Sequence, residues 1–234
     1  MFLANVNVDM SSMIPYLSWF LEGTLLTVGT SLITVILGCI IGFIVTLAKR
    51  SRFKILNWLS NIYVQFIRGT PILLQLYLWT LGLPQIGLKI PDIFGPRSGL
   101  YITVVLALAI NSGGYIAEIF RSGLNSVDKG QVEAARSLGL NSGQTMKEVV
   151  LPQAIKTILP ALGNEFIMMI KESSLVSTVG IADVMYQQKI IQGATYRVLE
   201  PLIIIGLIYL VLTTVLSSAL NVLERKLNYD AKNE

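Results

Sequence analysis

Histidine is missing from the sequence, and cysteine occurs once, at Cys39. The first absence removes any His-ligated metal site and any imidazole general base. The second removes an intrachain disulfide. Charge is scarce as well. Asp, Glu, Lys and Arg make up 14% of the 234 residues, against 53% hydrophobic residues and a mean hydropathy of +0.65. Soluble domains carry about a quarter charged residues, so the chain reads as an integral membrane protein. No G-x-x-x-x-G-K-[ST] loop is present to cradle nucleotide phosphates, and Ser112-Gly113-Gly114 lies inside an apolar run. No catalytic residue, metal ligand or cofactor is therefore assigned to this chain. The net charge of +4 does not point to nucleic acid, because the basic residues flank apolar spans rather than forming a patch. Lys and Arg are also missing from residues 1–22, and no cleavage-like site follows a short apolar core. The first span is thus expected to stay in the membrane as an anchor.

What is present is a set of long apolar runs. Residues 25–48, 99–117 and 201–223 carry no charge, and runs of this size can cross a hydrocarbon core of about 30 Å as helices. Two further runs are interrupted. Residues 55–83 contain Arg68-Gly69-Thr70-Pro71, and residues 158–185 contain Glu165, Lys171-Glu172-Ser173-Ser174 and Asp183. The expected fold is an all-α membrane protein with five transmembrane helices, at about 20–48, 55–83, 99–121, 158–186 and 199–224. Lys and Arg alternate between the connections. Twelve fall in the link after span 1, in 121–157 and after 223, and four fall in the other two links. This bias predicts an N-terminus outside, a C-terminus in the cytoplasm and a helical cytoplasmic loop at 122–157.

Two short helices can be drawn in that loop. The first spans about Asp128 to Leu138, capped by Ser126 or the following turn, with Asp128 suited to the positive end of the helix dipole. Val132, Ala135 and Leu138 give it a narrow apolar stripe, and Gly139 can adopt the left-handed conformation that ends it. The second starts at Asn141, with Gln144 as a capping-box partner, and is expected to stop before Pro152. The pair forms either a projection that enters a groove on another protein or a cover packed on the protein's own bundle.

The interrupted spans raise an energetic question. An ionisable group at membrane depth costs about 2.5–3.5 kcal/mol on insertion scales. Glu118, Glu165, Lys171, Glu172 and Asp183 all lie in or beside spans. Three readings stand side by side. Lys171 pairs with Glu118 or Glu165 as glue between helices; or the groups line a substrate pocket near the midplane, where a broken helix exposes backbone dipoles; or Lys171 and Asp183 sit at the interface. Pro71 kinks its span, which favours packing or a subunit contact for Arg68-Gly69-Thr70-Pro71 over direct substrate contact. Asn111-Ser112-Gly113-Gly114-Tyr115 suits a seam of small residues, with Tyr115 one turn before Glu118.

Several stretches carry a family resemblance: FIRGTPILLQLYLWTLGLP at 66–84, SVDKGQVEAARSLGL at 126–140, LPQAIKTILPALGNEFI at 151–167, KESSLVSTVGIADVM at 171–185 and LEPLIIIGLIYLVLT at 199–213. Together they resemble the polar amino acid permeases of bacterial ABC importers, of the histidine, glutamine and arginine type. EAARSLG followed by VVLPQA looks like that family's EAA loop. Asp128 stands where the family often has proline, and Glu172 where aspartate is common. The resemblance covers nearly the whole chain. It implies a single ABC-transporter transmembrane domain over 1–234, a multi-pass protein of the bacterial plasma membrane and a coupling helix in which Glu133, Ala134, Ala135 and Gly139 meet a separate ABC ATPase subunit that carries ATP and Mg. It also implies a second permease subunit, as a homodimer or related heterodimer, an extracytoplasmic substrate-binding protein, and surrounding lipid. The passenger would be a polar or cationic amino acid. Lys171 with the backbone at Ser173 and Ser174 suits its carboxylate; Glu118 and Glu165 suit its ammonium; Tyr115 and Glu172 complete the candidate set. The local acidic excess slightly favours a cationic side chain. The alternative from another class is a self-sufficient secondary transporter or channel for small polar solutes, opposed by the odd number of spans without an inverted repeat.

Overall fold

The computed structural model describes residues 8–232, with side chains up to residue 227. The start of the Lys- and Arg-free N-terminal stretch, at 1–7, lies outside the described residues. Helix is the only regular structure among the described residues. A 3-10 turn at Met10–Tyr16 leads into α1 (Leu17–Lys49). After a short turn come α2 (Lys54–Gly69), α3 (Ile72–Tyr77) and, past a wide π turn at Leu78–Gly82, α4 (Leu83–Gln85). An irregular link precedes α5 (Ser98–Asn125). The loop holds α6 (Lys129–Ser137) and α7 (Ser142–Thr145), followed by α8 (Leu151–Glu172), α9 (Val184–Thr195) and α10 (Leu199–Lys232). Three helical stretches, Met10–Lys49, Ser98–Asn125 and Leu199–Leu227, are long and apolar enough to cross a membrane.

The centre of the fold is the pair α1 and α5, which run parallel in a nearly constant register. The hydroxyls of Thr30 and Tyr101 are hydrogen bonded at 3.0 Å, the Thr46 hydroxyl donates to the Ala117 carbonyl, and Lys49 meets Glu118. Small residues permit this closeness. A Cβ added at Gly42 would lie 2.9 Å from the Ala117 nitrogen, and one at Gly113 would lie 2.7 Å from Ile41. Leu108, Ile116 and Val104 are fully buried beside this seam, together with Leu76, Met169 and Val176 from the broken spans. In contrast, α10 keeps most of its apolar surface exposed, as a helix bathed in lipid can.

Both interrupted spans are broken helices. At the first, Thr70 and Pro71 adopt extended backbone. Proline has no N–H, so the carbonyl four residues back, that of Ile67, loses its helical donor. Gln75 supplies one: its amide nitrogen donates to the Ile67 carbonyl at 3.0 Å and to the Thr70 hydroxyl at 2.8 Å. Its amide oxygen accepts from Asn111 on α5 at 3.0 Å. At the second, α8 ends at Glu172 and a 3-10 segment runs from Ser173 to Val179. Gly180 turns the chain at φ 90°, a conformation that suits glycine. Asp183 then caps α9 by accepting from the Tyr186 N–H at 2.9 Å. The span expected to run to residue 186 is therefore interrupted at 173–183, and α9 lies as a separate helix against α1.

The helices expected in the loop at 122–157 form with two changes from expectation. Asp128 is the cap of α6, accepting from the Gly130 N–H, and Gly139 takes φ 90°. The Asn141–Gln144 capping box forms. Leu138, however, is 83% exposed rather than part of a buried stripe. Pro152 does not end the second helix either. A π turn at Met146–Val150 precedes it, and α8 continues through it. The wider turn removes the clash between the proline ring and the preceding carbonyl. Another Leu-Pro pair, Leu83-Pro84, follows the π turn at Leu78–Gly82 in the same way.

Gln75→Leu leaves the Ile67 carbonyl and the Asn111 amide buried and unpaired. Each such loss costs about 1–3 kcal/mol, so thermal unfolding of the detergent-purified variant is expected several degrees below the parent. An unchanged midpoint would show that the amide is dispensable.

Candidate functional site

A cavity of about 420 Å³ lies between the end of α2, the last turns of α5 and the middle of α8. Arg68, Tyr115, Glu118, Asn164 and Glu165 line it. The break after Gly69 sets Arg68 at the end of α2, where its guanidinium lies 5.8 Å from the centre of the Tyr115 ring. Helix periodicity puts Tyr115 and Glu118 on one face of α5. Glu165 is 8% exposed and accepts from the Ser112 hydroxyl at 2.7 Å, which joins α8 to α5.

Glu118 lies among three cations. Lys49, the last residue of α1, donates to one oxygen at 2.6 Å, and Arg121 donates to the other at 2.9 Å. Arg68 stands farther off, at 3.8 Å. The side chains of Lys49 and Glu118 are 13% and 18% exposed, so this pair is shielded from water. Behind it a second, polar recess of about 560 Å³ is lined by Lys49, Asn57, Asn61 and Arg121. Glu118 borders both spaces. Because the carboxylates are matched by Lys49, Arg68 and Arg121, the acidic excess read from sequence is absent around this cavity.

Lys171, Glu172 and Ser174 line a different recess, of about 380 Å³, and Met168 forms part of both. Lys171 makes no ion pair with Glu118 or Glu165 among the described residues; the cations at Glu118 are Lys49, Arg121 and Arg68. Ser173 is buried, and its hydroxyl donates to the Ile170 carbonyl. The candidate set thus divides: Tyr115, Glu118 and Glu165 share one space, and Lys171, Glu172 and Ser174 share the next along α8. Sequence reasoning did not place Arg68 or Asn164 on the cavity, nor Lys49 beside it. The signal for Lys49 was its position at the end of the first span, with Glu118 at the end of the third.

At the loop, Glu133, Ala134 and Gly139 are exposed, whereas Ala135 is 6% exposed and turned into the loop. Arg136 donates to the Ser142 hydroxyl at 2.7 Å, tying α6 to α7. No group of acidic, Cys or His side chains suited to a metal ion occurs among the described residues.

A family model described as "Binding-protein-dependent transport system inner membrane component" matches residues 35–229. The chain belongs to this family. As an inner-membrane component of a binding-protein-dependent transport system, it is a multi-pass permease of the bacterial plasma membrane. It is 42% identical over 222 residues to the arginine transport system permease protein ArtQ of Bacillus subtilis (strain 168), covering 95% of this chain and 98% of the relative. A solved amino acid ABC transporter with histidines is 46% identical, with a TM-score of 0.89 over 94% of this chain and all of that one. The methionine transporter MetNI, in inward-facing conformations, is 19% identical with a TM-score of 0.72 over 91% of this chain and 98% of that one, a likeness of fold alone. Membership in a binding-protein-dependent family stands against the self-sufficient transporter or channel.

The clamp on this permease's Glu118 is open to a double-mutant cycle. Lys49→Met and Glu118→Gln should each destabilise the detergent-purified protein, and the double variant should recover part of the loss. The coupling is expected at about 0.5–3 kcal/mol. Strictly additive effects on the unfolding midpoint would mean that the contact contributes nothing.

Proposed function

We propose that residues 1–234 form one transmembrane domain that carries a polar or cationic amino acid into the cell, driven by ATP hydrolysis on a separate ABC ATPase subunit. The chain crosses the membrane five times, counting the two broken helices as spans, with its N-terminus outside and its C-terminus in the cytoplasm. Two copies, or this chain and a related permease, enclose the pathway, and an extracytoplasmic binding protein delivers the passenger. Support comes from the Lys and Arg bias of the connections, from the similar arginine transport system permease and from the similar amino acid ABC transporter solved with histidines.

The observation that carries the passenger's identity is the presence of Arg68 and Glu165 on one cavity. An amino acid is a zwitterion. Glu165, bonded to Ser112, keeps acceptor capacity for an ammonium, and Arg68, the loosest of the three cations near Glu118, can take a carboxylate. Glu118 and Tyr115 hold Arg68 in place in this reading. Lys171, Glu172, Ser173 and Ser174 act farther along the same path, at the break in α8. A preference for a cationic side chain rests on the similar proteins rather than on the local charge. At the cytoplasmic end, α6 is the coupling helix. Glu133, Ala134 and Gly139 offer it a thin, exposed face, and Ala135 supports that face from inside.

Transport can be measured in vesicles that hold the permease, its ATPase and its binding protein. Glu165→Gln removes a charge-assisted bond of about 1.5–3 kcal/mol, so uptake at low substrate should fall roughly tenfold or more while assembly with the ATPase persists. Wild-type uptake by this variant would remove Glu165 from the path. Glu133→Arg and Gly139→Val are expected to weaken ATPase association and abolish uptake without lowering the amount of inserted protein. Normal association and uptake in both would disprove docking through α6.

A further inference from the structure

A cavity of about 760 Å³ plays no part in the proposed path. It lies at the opposite end of the bundle from the Lys49–Glu118 clamp, between α4, the irregular link that follows it and the first turns of α5. Its walls are chiefly apolar, from Trp79, Leu83, Leu88 and Leu100. Lys89 and Arg97 also line it, and both are exposed and without an ion pair among the described residues. The one acid there, Asp92, is engaged in structure, accepting from the Gly99 N–H at 2.8 Å where α5 begins. Beside the cavity the same link exposes Ile86, Ile93 and Phe94, the last at 83%. Apolar side chains alternating with cations at the start of a membrane-spanning helix suit the interface between headgroups and acyl chains.

We propose that this cavity is a site for one anionic glycerophospholipid, its acyl chain against the apolar walls and its phosphate between Lys89 and Arg97. Charge complementarity decides the headgroup. Two uncommitted cations face a single carboxylate that already serves the backbone, which leaves a net positive rim. The apolar walls decide the rest, because a water-soluble anion would leave them uncovered. The leaflet that supplies the lipid follows from the orientation proposed above; occupancy of the cavity does not.

Trp79 is a built-in reporter, since Trp19 and Trp58 are the other two tryptophans of the chain. The full chain with Trp19→Phe and Trp58→Phe is reconstituted in phosphatidylcholine vesicles. These contain equal small fractions of either phosphatidylglycerol or phosphatidylcholine brominated on the acyl chain. Brominated phosphatidylglycerol should quench Trp79 at roughly tenfold lower mole fraction than brominated phosphatidylcholine. Lys89→Gln with Arg97→Asn should erase that difference and leave the phosphatidylcholine quenching as it was. Asparagine tolerates the left-handed backbone of Arg97, at φ 65°, so the variant does not strain the turn. Equal quenching by the two lipids, or a difference that survives the double variant, overturns the proposal. So does the absence of quenching by either lipid, as a second copy filling the cavity would give. Relief of quenching by glycerol phosphate in solution would assign the site to a free phosphate instead.

Discussion

Inside a hydrocarbon core, each backbone N–H and C=O must find its partner within the protein, because no water is there to supply one. This permease breaks two helices in its apolar interior and meets the requirement differently at each. At Pro71 the missing donor is replaced from a distance along the chain: Gln75 reaches back to the Ile67 carbonyl and is itself held by Asn111. At Ser173–Val179 the replacement is local. The hydroxyls of Ser173, Ser177 and Thr178 each donate to the carbonyl three residues earlier. The Ser-rich composition of that stretch is thus a backbone requirement before it is anything else. The two segments also meet, with Leu76 and Val176 in one buried cluster, so the breaks form a single irregular layer inside the bundle.

The frame around that layer is the α1–α5 pair. Its close approach depends on Gly42 and Gly113, and it is pinned at one end by Thr30 and Tyr101 and at the other by Lys49 and Glu118. The ion pair belongs to the frame as much as to the cavity. Removing one partner from a shielded pair leaves the other uncompensated, which costs more than the pair itself contributes. Glu118 is therefore held in a fixed place, whereas Glu165 is tied by one hydroxyl.

Much of this architecture is readable from the residues, and the failures have identifiable causes. The uncharged runs locate α1, α5 and α10, and Pro71 and the Lys171–Ser174 cluster mark the two breaks, because these signals are local. Asp128, Gly139 and the Asn141–Gln144 pair mark the ends of the loop helices for the same reason. Pro152 misleads because a π turn absorbs the ring, and nothing in Met146–Val150 announces that turn. Leu138 misleads because a three-residue recurrence over so short a helix fixes no face. The pairing of Glu118 with Lys49 depends on the register between two helices about 70 residues apart in sequence, which no local pattern carries. Lys171 and Glu165 are separated by distance along α8: six residues rise about 9 Å, which carries Lys171 out of the first recess and into the next, together with Glu172.

Distances then order the charges around the main cavity. Lys49 and Arg121 lie 2.6 and 2.9 Å from Glu118, Arg68 lies 3.8 Å away, and the Arg68 side chain is half exposed. Lys49 and Arg121 hold Glu118 in hydrogen-bonded contact, so in the proposed transport function Arg68, the loosest of the three, is the cation available to a passenger. Glu165 is the corresponding anion, since its partner is a neutral hydroxyl. One available charge of each sign on one wall is what the main-chain groups of an amino acid require, and it leaves the passenger's side chain unassigned. Glu172 bears on that remainder. It stands two turns beyond Glu165 on the same face of α8, past Met168, in the recess that also holds Lys171. In the proposed transport function, a long side chain on a passenger held at Arg68 and Glu165 would meet both a carboxylate and an ammonium there, so the local charge favours neither sign. The first recess thus serves the main-chain groups in that function, and the side chain extends toward the second.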